Sequence, residues 1–340
     1  MNRHYFPHVL IYLILAILVL SACATPQIQT TTIPSIPPPL PPPATPLPPT
    51  DTQQPPTNTP IPPSATPTPL QPSPTQEPTY SKLEEKVDMG GRQINYTCYG
   101  EGSPTVVLDS GMWDDSGIWK SVMQGVAPFT RICAYDRAGS GQSDPAPTTR
   151  TSLDWATDIY NFLTSASLTG PYIVVGHSGG GMNMLVFANQ YPQDVVGMVL
   201  VDPGAPDWVQ QTLHSLPYKY PGEPWEVTNC RGIFESYVSF WESTNIEAGW
   251  DLATSGEQVR SISSLGDLPL IVITATHDKQ CAGKSGDLEK QVWIGLHAKY
   301  AALSTNGKQV LTDTGHYVHT ENPTLVVETI LQVLEQARSE

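Results

Sequence analysis

The stretch YIVVGHSGGGMNM, residues 172–184, decides how the chain is read. Tyr172, Ile173, Val174 and Val175 form a short unbroken apolar run of strand formers, and helix formers begin at Met182. Between them lie Gly176, His177, Ser178, Gly179, Gly180 and Gly181. A buried strand that turns at once into a helix brings backbone against backbone, and glycines make that approach possible. One serine is left among them, at the carboxyl edge of the strand, where open α/β sheets bind their ligands. A phosphate cradle is the competing reading of a glycine-rich strand-to-helix turn. The spacing does not meet G-x-G-x-x-G, and no Gly-Lys-Ser/Thr follows.

Outward from this stretch, apolar runs marking strands alternate with longer amphipathic runs marking helices. KVDM, a Gly90-Gly91 turn and QINYTCYG predict a hairpin, and PTVVLDSG and TRICAYDRAGSGQSD each open with a strand. Residues 152–163 predict a helix with Trp155, Ile159 and Leu163 on one face. After the serine come a helix over 180–190, the strand VVGMVLV, a long insertion and the strand LPLIVITAT. A helix near 288–299, the strand in KQVLTDTGH and a last helix from Pro323 complete the order. Strands alternating with helices imply an α/β fold, a mostly parallel sheet covered on both faces.

Composition limits this domain to residues 81–340. Of 35 prolines, 21 fall between Ala24 and Tyr80, in a tract of Pro, Thr, Gln and Ser with almost no charge. Such a segment has too few large apolar side chains to offset the entropy of ordering, so residues 23–80 are expected to form an extended stalk. Before it, Arg3 and His4, the apolar run VLIYLILAILVL and the small residues Ser21 and Ala22 are expected to be a signal peptide over 1–22. LSAC resembles the lipobox of bacterial lipoproteins, which implies lipid attachment at Cys23, anchorage to a membrane through that lipid and an extracytoplasmic location. A plain secretory signal and a short membrane anchor are the alternatives. The formal net charge is −15, from 17 basic and 32 acidic residues with no basic cluster. That excludes nucleic acid as the expected partner.

VVLDSG, YDRAGSGQSD, GHSGG, ITATHD and TGHYVHTENP occur in the order found in the α/β-hydrolase fold, and the domain resembles that superfamily over nearly all residues after about 85. The resemblance implies an eight-stranded, mostly parallel sheet with a cap insertion at about 204–267. It makes GHSGG a nucleophile elbow, with Ser178 held in a strained backbone conformation at the turn. A serine hydroxyl needs a base and the base an orienting acid. The resemblance assigns these to His316, with His319 as rival, and to Asp278, with Asp202 as alternative. It implies oxyanion donors at the N–H groups of Gly179 and Met112, although Asp109-Ser110-Gly111 departs from the family's common His-Gly form. Asp136 and Arg137 are expected to brace the neighbouring loop. No metal or cofactor is required.

The resemblance further implies that Cys98 and Cys133, on adjacent strands, form one disulfide and that Cys230 and Cys281 form a second, tying cap to catalytic loop. The insertion carries nine aromatic residues from Trp208 to Trp250. Most are expected in the cap's own core, and a minority facing inward would favour a substrate with an apolar or aromatic group. The expected function is a serine hydrolase acting on small-molecule carboxylic esters, with amides or lactones open, through an acyl-enzyme. Acyl transfer and perhydrolysis use the same triad, and an inactive surface binding protein on the same fold is the alternative from another class.

Overall fold

In a computed structural model the described residues are 80–339, other than Pro147 and Asp278. The expected signal peptide, the Cys23 lipid site and the stalk therefore lie outside the described residues. Eight strands form one sheet in the order β1-β2-β4-β3-β5-β6-β7-β8. They are β1 (Lys82–Asp88), β2 (Gln93–Tyr99), β3 (Thr105–Asp109), β4 (Ile132–Tyr135), β5 (Tyr172–His177), β6 (Val195–Val201), β7 (Leu270–Ala275) and β8 (Gly307–Thr312). β1 and β2 form the expected hairpin, and β2 pairs antiparallel with β4; every later pairing is parallel.

The central strands read as continuous apolar runs because helices cover both faces, and alternate side chains divide between the two cores. Val174, Leu200 and Val272 face one core with Trp155, Ile159, Phe162 and Leu163 of α2 (Ser152–Ser165). Ile173, Val175, Val199, Val201, Ile271 and Ile273 face the other, against Trp119 and against Val122 and Val126 of α1 (Lys120–Val126). Each such side chain, once fully buried, contributes roughly 1.5–3 kcal/mol. α2 starts where Thr151 and Asp154 form a reciprocal capping box, with Asp154 Oδ2 accepting from the Thr151 amide at 2.7 Å.

α3 (Gly179–Gln190) follows β5 without a linking residue other than Ser178. The glycines expected to permit this turn do so by clearance. A Cβ on Gly176 would stand 2.5 Å from the Gly180 carbonyl oxygen, and one on Gly180 would stand 2.5 Å from the carbonyl oxygens of Asp109 and Ser110. Backbone atoms cannot yield to such contacts, so both positions require glycine.

Between β6 and β7 the insertion forms α4 (Trp208–Ser215), α5 (Trp225–Trp241) and α6 (Leu252–Arg260). α7 (Gly283–Ala301) begins five residues before the expected position 288, and the short α8 (Val318–Glu321) is followed by the long α9 (Pro323–Ser339). Asn322 caps α9, its Oδ1 accepting from the Leu325 amide. Both expected disulfides are formed: Cys98–Cys133 at directly paired positions of β2 and β4, and Cys230–Cys281 between α5 and the loop before α7.

The aromatic residues of the insertion depart from the expectation that most would pack into a core of the cap. Phe234 and Trp250 are fully buried, whereas Tyr218, Tyr220 and Trp225 are exposed. Trp208, Tyr237 and Trp241 pack against Phe234 in the insertion's small core and also line the cavity described next, whereas Trp250 is buried in the main core with Trp155.

Candidate active site

Ser178 has φ 51° and ψ −121°, one of four non-glycine residues with positive φ among those described. A β-carbon in this region costs of order 1–3 kcal/mol and persists only where the surroundings enforce it. Here they do: the Ser178 amide donates to Val201 O at 3.3 Å, and Ser178 O accepts from the amides of Gly181 at 3.0 Å and Gly204 at 2.7 Å. The turn is pinned from β6 on one side and from its own helix on the other. Asp202, next after β6, has φ 44° and lies across the same edge of the sheet.

His316 follows β8 in the loop before α8. Its Nδ1 lies 2.6 Å from Asp202 Oδ2. Asp202 is nearly fully buried, and its other oxygen accepts from the Ala275 amide at 2.8 Å and from Trp293 Nε1 at 2.9 Å. A buried carboxylate held by three donors is satisfied and immobile. Asp278, the acid preferred from sequence, lies outside the described residues. Asp202, its alternative, meets the imidazole directly.

His177, the residue between Gly176 and Ser178, ties the turn to the histidine loop. Its Nε2 lies 3.0 Å from His316 O, and because a carbonyl can only accept, the proton of His177 is on Nε2. Burial, reinforced by His316 and His319, holds this imidazole well below its ordinary pKa, so it stays neutral. His319 is fully buried, with its ring 4.5 Å from that of Trp119 and 4.4 Å from that of His177. Burial lowers its pKa to about 3. Packed in this way it does not line the cavity described below, which His316 does.

Arg137 braces the loop after β3 as expected. Its guanidinium meets Asp109 Oδ1 at 2.9 Å, Ser110 O at 2.6 Å and Gly111 O at 2.5 Å, and reaches Glu247 of the insertion at 3.2 Å. Asp136 accepts the amides of Ser116 and Gln142 and the side chain of Asn95. Arg137 thus fixes three carbonyl and carboxylate groups ahead of Met112. Met112 in turn lies against the start of α3, its Cγ 3.0 Å from where a Cβ of Gly179 would stand. The Gly179 amide, in the first turn of α3, has no carbonyl partner within the helix.

A cavity of about 480 Å³ opens at this edge of the sheet. Ser178, Asp202, His316 and Met112 line its floor; Trp208, Tyr237, Phe240 and Trp241 of the insertion, with Trp293 of α7, form its walls. The wall is predominantly apolar, as expected for the inward-facing minority of cap aromatics. The sequence reading missed Trp293, the tryptophan that donates to Asp202: the helix was expected, but its facing side could not be read without the fold.

The chain matches the alpha/beta hydrolase family over residues 106–329. Among curated proteins it is 26% identical over 228 residues to the uncharacterized protein YqjL of Bacillus subtilis, a match covering 67% of this chain and 82% of that one. The next two curated matches span only 17% of those proteins' lengths. Among solved structures, a thermophilic esterase from Thermogutta terrifontis superposes with TM-score 0.52 at 21% identity, covering 75% of this chain and 99% of that one. Carboxylesterase CesB of Bacillus subtilis superposes with TM-score 0.51 at 18% identity, covering 75% and 92%. The chain belongs to the alpha/beta hydrolase family.

Proposed function

We propose that this member of the alpha/beta hydrolase family is a serine hydrolase that cleaves carboxylic esters through an acyl-enzyme. Ser178 is the nucleophile, His316 the general base and Asp202 the acid that orients it. The observation that carries this reading is the shared cavity edge: a strained serine and a histidine whose Nδ1 is 2.6 Å from a buried carboxylate. With Nδ1–H donating to Asp202, Nε2 is the basic nitrogen.

His316 Nε2 takes the proton of Ser178 as Oγ attacks the ester carbonyl, and the carbonyl π electrons move onto oxygen. The N–H groups of Gly179 and Met112 receive that oxyanion, each such donor contributing about 3 kcal/mol. Collapse breaks the bond to the alkoxy group, which leaves as an alcohol with the proton from His316. Water, deprotonated by the same nitrogen, then attacks the acyl-enzyme and releases the acid and free Ser178. The apolar walls support an ester with an apolar or aromatic portion; lactones and activated amides fit the same steps.

Turnover of p-nitrophenyl hexanoate tests the assignment. Ser178→Ala and His316→Ala lower kcat by at least about 10⁴-fold, as loss of a member acting in concert does. Asp202→Asn lowers it by about 10⁴-fold through the wrong imidazole tautomer. Asp278→Asn lowers it by far less; the reverse order of the two aspartate variants would return the orienting role to Asp278. Turnover that is equal in Ser178→Ala and wild type would remove Ser178 as the nucleophile, and a wild type with no turnover on any ester would favour a binding protein instead.

A further inference from the structure

We propose that the cavity selects esters carrying a carboxylate a few carbons from the scissile carbonyl, and that Lys290 is the residue that reads it. The inference rests on the hydrolase reading for the scissile group but concerns a different contact. Lys290 lines the same cavity as Ser178 and His316. It lies on α7 one turn before Trp293, the residue that donates to Asp202. Residues three apart on a helix share a face, so its side chain stands about one 5.4 Å pitch from the indole that marks the catalytic floor.

The charges of the cavity are unevenly committed. Asp202 is taken by His316, Trp293 and the Ala275 amide. Glu289, the other carboxylate in the lining, is buried and accepts the amides of Gln280 at 3.0 Å and Cys281 at 2.9 Å. Lys290 forms no hydrogen bond or ion pair with any described residue. Nearby Lys279, by contrast, is paired with Asp287 at 3.0 Å. Lys290 is a residue of intermediate exposure in a wall with Trp208, Tyr237 and Trp293, and a ligand anion in the cavity would supply its ammonium with a charge-assisted partner. The bland role for such a lysine is to lay its stem along apolar surface with the head in water.

Two readouts on the full chain test this. In kinetics, the ratio of kcat/KM for the p-nitrophenyl half-ester of adipic acid to that for p-nitrophenyl hexanoate is compared across variants. Lys290→Met lowers the ratio about tenfold, the size of one charge-assisted hydrogen bond at a half-buried site, Lys290→Glu lowers it further, and Lys290→Arg keeps it within about threefold. In binding, quenching of tryptophan fluorescence is followed on titration with phenylbutyrate and with neutral phenylbutyramide, in chains carrying Ser178→Ala. The carboxylate binds more tightly than the amide when Lys290 is present, and the preference disappears in Lys290→Met. A selectivity ratio and a binding preference that are the same in wild type and Lys290→Met overturn the proposal. Because the binding readout needs no turnover, failure of the hydrolase reading leaves it intact: an inactive protein that still loses its anion preference in Lys290→Met supports the role of Lys290 alone.

Discussion

His297 and His319 show how single buried side chains set the pH range of this molecule. His297 Nε2 lies 2.9 Å from Pro203 O and its Nδ1 3.0 Å from Thr274 Oγ1, so the ring serves as a neutral strut between β6 and β7. Burial lowers its pKa to about 4, against the partial opposition of Asp202, and lowers that of His319 to about 3. In the unfolded chain both take a proton near the usual value of 6.5. Above pH 6.5 neither state binds that proton and there is no penalty. Below it the unfolded state binds protons that the folded state refuses, and stability falls by up to about 1.4 kcal/mol per pH unit for each histidine, until the folded pKa is reached. Urea unfolding at pH 7.5 and pH 5.0 should therefore show a loss on acidification that is smaller in His297→Gln than in wild type. An identical loss in the two proteins would mean that His297 does not carry the effect.

At the scale of elements, the cap and the β7–α7 loop form one unit. Cys230–Cys281 closes a loop with a sequence separation of 51, worth about 4 kcal/mol on the chain-entropy account. Glu289 of α7 holds the same loop by two amides, and Tyr237 of α5 donates to Gln280 Oε1 at 3.2 Å. Since Trp208, Tyr237 and Trp241 form cavity walls, the crosslink fixes the shape of the site as well as the stability of the insertion. Replacing both cysteines, as Cys230→Ser with Cys281→Ser, should lower unfolding free energy by about 2–4 kcal/mol and expose α5 to limited proteolysis before the sheet unfolds. Cleavage of α5 at the wild-type rate would show that the helix is held by packing alone.

Across the whole molecule, what could be read from sequence was what local pattern and close approach dictate. The strands were legible because fully buried β-strands are continuous apolar runs with abrupt ends. Ser178 was legible because the collisions that forbid side chains at Gly176 and Gly180 are backbone collisions, visible as glycines at fixed offsets. Cys98–Cys133 followed from strand adjacency once the fold was supposed, and Cys230–Cys281 was the pair that remained, from cap to catalytic loop. Less was legible where the answer depends on which face of an element turns inward. Trp293 and Lys290 belong to a helix whose start was placed late, and nothing in their spacing reveals a cavity beneath them. Asp202 was harder still: two aspartates end two successive strands, and both positions suit an acid. Only the three-dimensional path of the loop after β8 brings His316 onto Asp202 at 2.6 Å. The central claim, that the strained turn presents a reactive hydroxyl, is tested most directly by treating the full chain with a fluorophosphonate and locating the adduct by peptide mass spectrometry. The account predicts one stoichiometric phosphonylation on Ser178, abolished by Ser178→Ala and strongly slowed by His316→Ala. A protein that remains unlabelled, or that carries the label on another residue, would contradict it.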